Sequence, residues 1–286
     1  MMRKLFTAAA MATLMLLIGN MLAAHPHPDP AVRLFDLGQQ AVVAEAQGIQ
    51  RLKSARIVLV GEHHNNAAHH EAQLLVIKNL HEAGLKVAVG LEMFRKDSQA
   101  DLDGWVDGKI SERQFKPLYL DNWNYDWALY RPIFDYAREN RIPMVGLNVS
   151  RKITAQVAYH GFESLDAEQR GSLEGITCNV TPEYRAFIGK AHGVHGHGEM
   201  NFERFCEAQL VWDTAMAFNA VAYLKENPDT VMVILAGSGH ARKLGIPTQL
   251  EKRVPWPYAV VLPETEGIFD AQSITVGDAD YILMNK

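Results

Sequence analysis

Short apolar runs that stop abruptly at polar side chains recur along this chain. Ile57-Val-Leu-Val is rich in β-branched residues and is followed at once by Gly61, Glu62, His63 and His64, the pattern of a buried strand with a polar end. Residues 86–94 are apolar until Glu92 interrupts them, residues 143–149 end around Asn148, and residues 230–236 run into Gly237-Ser-Gly-His240. Two further strands are predicted over 258–262 and 281–284. An amphipathic segment over 31–46 precedes them all. Asn65 or Asn66 can cap a helix that runs to about Glu82 and is closed by Gly84. Shorter helices over 98–106 and 112–118 follow, then one over about 126–140 that stops before Pro143. Residues 153–224 show no strand pattern. Helical pieces, a Gly/His-rich break over 189–198 and a long amphipathic helix over about 201–224 occupy them.

Strands alternating with helices define the expected fold class: α/β, a mostly parallel sheet flanked by helices, with a smaller all-helical subdomain inserted at about 150–225 before the later strands. Ligands of such sheets bind beyond the carboxyl ends of the strands. Glu62, His63, His64, Glu92, Asn148 and His240 are therefore expected to meet at one edge, although they follow different strands. The ending Gly-x-x-His occurs twice, Gly61 to His64 and Gly237 to His240. Arg151, just past the third strand, is either part of the lip of that site or a surface charge. Gln209, Asp213 and Met216 or Ala217 stack along one stripe of the long helix, so Asp213 can reach the same site and orient a histidine. His70 shares a helix face with Leu74 and Ile77, and either looks toward the site or is a satisfied buried imidazole.

Two His with one or two Glu are the ligand types that a borderline divalent metal prefers, and an open position on such a metal makes a hydrolytic site. His64 and His240 are the expected ligands, with Glu62 or Glu92 as third ligand or general base. The alternative is a polar cluster that hydrogen-bonds loop backbone. Residues 181–200 have a different character: Tyr184, His192, His195, His197 and Met200 are all axial ligand types for haem iron, and Arg185 and Lys190 can pair with propionates. Glycines 189, 193, 196 and 198 let this stretch adapt to a flat ligand. The bland reading is a His-rich stretch that binds zinc or copper adventitiously, or nothing.

Composition adds the setting. With 48% hydrophobic and 21% charged residues the chain is ordinary globular protein, not a disordered one. Met1-Met-Arg-Lys gives a positive start, residues 5–21 are almost wholly apolar and Leu22-Ala-Ala offers small residues for cleavage. Residues 1–24 read as a signal peptide and 25–30 as a Pro-punctuated leader to a domain over 31–286; an uncleaved membrane anchor is the alternative. Loss of Arg3 and Lys4 with the signal takes the formal charge from −5 to −7, which argues against nucleic acid as a partner. Cys178 and Cys206, the two cysteines, form a disulfide or remain two buried thiols.

Taken together, Val60-Gly-Glu-His-His-Asn-Asn with His69-His70, Gly90-Leu-Glu-Met-Phe, Trp127-x-x-Tyr-Arg-Pro, Gly146-Leu-Asn-Val, Glu207-Ala-Gln-x-x-Trp-Asp-x-x-Met-Ala and Ala236-Gly-Ser-Gly-His-Ala resemble the ChaN family of haem-binding uptake proteins. That family is similar, more distantly, to the TraB/Tiki group, where two Gly-x-x-His motifs and a Glu serve a metal-dependent protease. The resemblance implies a parallel α/β sheet with a smaller helical domain, haem as the ligand, and a homodimer formed on haem binding. It also implies an exported protein of bacterial haem and iron acquisition, periplasmic or at the outer membrane, that receives, stores or hands on haem with other uptake components at the membrane. Family members are commonly lipoproteins, whereas no Cys follows the apolar run here. Ligation by Tyr in the family makes Tyr184 one candidate beside the histidines, and Cys206 stands where an aromatic residue is expected. A metal-dependent hydrolase, protease-like or esterase-like, is the rival function.

Overall fold

In the computed structural model of the chain, the described residues are 33–43, 45–173, 178–191 and 201–284, and they fall in one compact unit, Val32–Lys286. The expected signal and leader, residues 1–30, lie outside them. The chain opens with strands β1 (Leu34–Asp36) and β2 (Ala41–Val43), helix α1 (Glu45–Lys53), strand β3 (Ile57–Glu62) and helix α2 (Ala67–Glu82). Strand β4 (Lys86–Arg95) leads into α3 (Gln99–Val106), α4 (Glu112–Asn122) and α5 (Trp127–Glu139), then β5 (Met144–Asn148). The helical excursion is α6 (Arg151–His160), α7 (Ala167–Ser172), α8 (Pro182–Ala191) and α9 (Phe202–Glu226). Strand β6 (Thr230–Gly237), the short α10 (Ser238–Ala241), α11 (Ile246–Glu251), β7 (Tyr258–Pro263) and β8 (Tyr281–Leu283) complete it.

The eight strands form one sheet in the order β2-β1-β8-β7-β3-β6-β4-β5. From β8 to β5 every neighbouring pair is parallel, and β1 and β2 add an antiparallel edge. Parallel strands covered on both faces read as unbroken apolar runs, and side chains of alternate residues go to opposite faces. Val58, Val60, Val89, Leu91, Val233 and Leu235 accordingly pack on one side with residues of α2 to α5, while Ile57, Leu59, Met232, Ile234 and Ala236 pack on the other with α9 and α11. The first layer is dominated by buried Trp105, Phe115, Tyr119, Trp127, Tyr130 and Phe134. Smaller cores join α6 to α9 through Val157, Val211 and Ala215, and α8 to α9 through Phe187, Ile188, Cys206 and Leu210.

The amphipathic segment expected over 31–46 is corrected to a hairpin followed by the start of α1. Asp36 Oδ1 accepts the amide hydrogens of Gly38 and Gln39 at 2.8 Å, and Gln40 adopts φ 52°; this side-chain-capped turn reverses the chain before any helix can start. Asn66 caps α2, its Oδ1 accepting from Ala68 N at 3.0 Å, and Gly84 at φ 82° ends the following turn. Cys178 and Cys206 are free thiols, and burial pushes their pKa values up to about 12 and about 11. No helix among the described residues is long and apolar enough to cross a membrane.

Candidate functional site

The carboxyl ends of β3, β4, β5 and β6 open into a cleft of about 790 Å³ that Glu62, His63, His64, Glu92, Asn148, Arg151 and His240 all help to line. On the β3 side, Glu62 is 2% exposed. Its Oε1 accepts the Tyr130 hydroxyl at 2.5 Å and meets His64 Nδ1 at 2.7 Å. Its Oε2 lies 3.1 Å from His70 Nδ1, which faces Gln73 Oε1 at 3.1 Å, while His70 Nε2 meets the His64 carbonyl oxygen at 3.1 Å. Both His70 nitrogens thus face acceptors, which favours the doubly protonated ring. Burial works against the Glu62 charge, yet the His64 and His70 contacts outweigh it and hold the carboxyl down at about 2. Burial likewise opposes charge on His64 and His70, and the bonds to Glu62 overcome it, so both pKa values are raised.

A second carboxylate and imidazole face this pair. Asp213 of α9 is 0% exposed; its Oδ1 meets His240 Nδ1 at 2.6 Å, and its Oδ2 accepts the Tyr184 hydroxyl at 2.6 Å. Burial disfavours the His240 cation, but Asp213 and Glu92 together raise its pKa to about 9. Glu92 Oε2 accepts the Gly237 amide at 2.6 Å and its Oε1 stands 3.9 Å from His240 Nε2. Asn148 donates its side-chain amide to the Glu92 carbonyl oxygen at 2.9 Å, fixing the end of β4 against β5. A Cβ on Gly237 would lie 2.9 Å from His64 Cε1, so only glycine lets the two Gly-x-x-His loops approach. Each imidazole is therefore anchored through Nδ1 by a buried carboxylate that accepts the Nδ1 hydrogen, which fixes ring orientation and leaves Nε2 as the atom that can gain or give up a proton.

The expected metal set of His64, His240, Glu62 and Glu92 is not met. Among the described residues no group of three His, Cys, Asp or Glu is placed to hold a metal ion. The physical reason is prior engagement: Glu62 sits behind His64, and one Glu92 oxygen is committed to the Gly237 amide. His63 is half-buried on the cleft wall beside His69 and Phe269, with His69 Nδ1 accepting its backbone amide at 2.9 Å. Tyr184 is 5% exposed with its hydroxyl directed to Asp213, not to an open surface. Arg185 is exposed, paired with Glu203 at 2.6 Å and stacked over Phe202. Lys190 lies on α8; His192, His195, His197 and Met200 are outside the described residues.

Three partners were not singled out in the sequence for these roles. Tyr130, from the Trp127-x-x-Tyr-Arg-Pro stretch, holds Glu62 across the sheet face, and Trp123 and Tyr125 flank His64 at ring-centroid distances of 4.9 and 4.8 Å. The only available signal was the density of aromatics over 123–130, which does not by itself say which ring meets the site.

The fold and the cleft define the class: a parallel α/β protein with paired carboxylate–imidazole units at the carboxyl edge of its sheet. The chain belongs to the family described as "Haem-binding uptake, Tiki superfamily, ChaN", whose profile matches residues 48–250. Its structure is similar to that of ChaN of Campylobacter jejuni, solved for cofacial haem binding, with TM-score 0.69 and 21% identity over 88% of this chain and 95% of that one. The type III effector HopBA1 shares the fold at TM-score 0.51 and 13% identity, covering 91% of this chain and 99% of the effector. Among curated proteins, the chloroplastic RETICULATA-RELATED 5 of Arabidopsis thaliana is 22% identical over 227 residues, which is 72% of this chain. The chain spans about 30% of that relative's length.

Proposed function

We propose that this is an exported haem-binding protein of bacterial haem acquisition, which receives haem and holds it for transfer. The family match over residues 48–250 carries the haem reading, and the amino-terminal pattern supports export to the periplasm or outer membrane. The residues fit haem unevenly. Tyr184 would have to leave Asp213 to reach iron, whereas His192, His195, His197 and Met200 follow α8 directly in sequence and lie outside the described residues. Haem would supply the iron, and the chain's part would be to provide a ligand and cover an apolar macrocycle. Ligation by a single side chain suits exchange with uptake partners, and a homodimer is the assembly that would shield the second face.

Haemin titration of the mature protein tests this. A saturable Soret shift is expected, abolished or moved when His192, His195 and His197 are replaced together by alanine, and largely kept in Tyr184→Phe. Absence of any shift in the wild-type protein would end the haem proposal; loss only in Tyr184→Phe would move the ligand to Tyr184.

A second reading rests on one observation, that two imidazoles with carboxylate-anchored Nδ1 atoms border the same cleft. Such a pair can exchange protons with a bound ester or amide, His240, held protonated by Asp213, donating to the leaving group and His64 accepting from water once it has lost its own proton. Activity against short acyl esters is expected to drop at least about a hundredfold in His64→Ala or His240→Ala, the usual scale of acid–base catalysis. Equal background hydrolysis by wild-type and double-variant protein would remove this reading.

A further inference from the structure

Two arginines border the cleft, and they differ in what they hold. Arg95 is committed: its guanidinium bonds Asp97 at 3.1 Å and Asp121 at 2.8 Å. Arg151 donates one bond, from Nη2 to the Asn122 carbonyl oxygen at 2.8 Å, and its guanidinium carbon stands 5.7 Å from the Trp123 ring centroid. No carboxylate among the described residues lies within ion-pair distance of it. Its planar group is thus oriented by a backbone bond and an aromatic face, and the carboxylate whose field it shares, Asp121, is bonded to Arg95 instead. Arg151 also opens α6, a helix of ten residues, whose amino-terminal end adds positive potential at the same rim.

The walls beside it are apolar. Trp123 and Tyr125 pack 5.2 Å apart between Arg151 and His64, and Tyr159 and Ile268, both cleft residues, are 60% and 52% exposed. Large hydrophobic side chains left open around a concavity mark a surface meant to be covered. We propose that the cleft is a binding site for an amphipathic carboxylate, whose anionic head pairs with Arg151 and whose apolar body covers Trp123, Tyr125, Tyr159 and Ile268. This site is formed wholly by described residues and does not depend on the axial ligand of haem. The carboxylate can belong to a small organic acid or to a propionate of haem itself, and in the second case the inference rests on the haem reading.

Fluorescence titration with 1-pyrenebutyrate and with its neutral counterpart 1-pyrenebutanol separates charge from apolar contact. Wild-type protein is expected to prefer the carboxylate, and Arg151→Gln to weaken it about tenfold while leaving the alcohol within twofold, the scale of one charge-assisted hydrogen bond. Lys152→Gln, which removes a neighbouring exposed cation, should change neither. Raised salt should weaken the carboxylate alone. The inference is overturned if Arg151→Gln affects both probes equally, affects neither, or is matched by Lys152→Gln. Displacement of pyrenebutyrate by haemin from wild-type protein assigns the head group to a propionate; a full Soret shift with pyrenebutyrate still bound assigns it to an independent acid. A protein that binds pyrenebutyrate through Arg151 but shows no Soret shift would keep this site and lose only the haem reading.

Discussion

Asp213→Ala is expected to lower the melting temperature by roughly 10 °C near pH 6. Asp213 is fully buried and holds both His240 and Tyr184, so its removal strands two buried polar groups at once. Breaking a buried charge pair from one side costs about 3 kcal/mol or more, and about 2–4 °C accompanies each kcal/mol in a domain of this size. The sign with pH follows from His240, whose pKa rises from 6.5 to about 9. A raised folded value contributes stability that is complete below 6.5 and disappears as pH climbs through 9. Asp213→Asn, which keeps the shape and loses the charge, should therefore differ most from wild type below pH 6.5 and converge with it above 9. At the acid end, Glu62, held at about 2 against 4.5, contributes stability that is complete above 4.5 and lost as pH falls toward 2. The raised pKa of Asp213, a consequence of its burial, acts in the opposite sense there, so the acid limb should be steeper in Asp213→Asn than in wild type. Melting curves from pH 3 to 10 on both proteins check this, and a constant gap across that range would contradict it.

Gly146→Ala is expected to destabilise the chain by roughly 3 kcal/mol, at the upper end of the overpacking range. A Cβ at Gly146 would press on the Arg95 carbonyl oxygen and stand 2.9 Å from its carbon. Both are backbone atoms and cannot rotate aside. The same place carries the irregularity in the pairing of β4 with β5, where the register shifts between Leu91 and Arg95, and Gly146 N donates to Gln99 Oε1 at 3.0 Å. Displacing β4 here moves Glu92, three residues before Arg95 on the same strand, and the Asn148 bond that holds its carbonyl. Denaturant unfolding should show the loss in midpoint with an unchanged slope; a midpoint equal to wild type would mean that β4 yields freely at this bend.

Much of this was legible because parallel strands buried on both faces leave a strong signal. Ile57 to Val60 and Val231 to Ala236 are unbroken apolar runs, and the rule that ligands sit beyond the carboxyl ends of such strands is enough to bring Glu62, His64, Glu92 and His240 together. Periodicity also placed α9 and its Asp213 stripe. The edge hairpin was not legible: β1 and β2 have three residues each, too few for alternation to show. Nor was the role of Tyr184. A tyrosine in a ligand-rich stretch reads as a ligand, and only the packing of α8 on α9 turns its hydroxyl inward to Asp213. The metal set failed for a related reason. Residue type gives the valence of a side chain, but not whether a neighbour such as Tyr130 or the Gly237 amide has already used it.

The position of β6 has a kinetic consequence. It lies between β3 and β4 and hydrogen-bonds to both, yet more than half the chain separates it from β3. Until residues 230–237 arrive, β3 and β4 each present an unpaired edge, and the two imidazole walls have no common frame. Loop closure over such a span is slow and leaves partly formed sheets open to pairing with other chains. The cleft therefore comes into being only with β6, so its formation reports that the half of the sheet from β3 to β5 has closed.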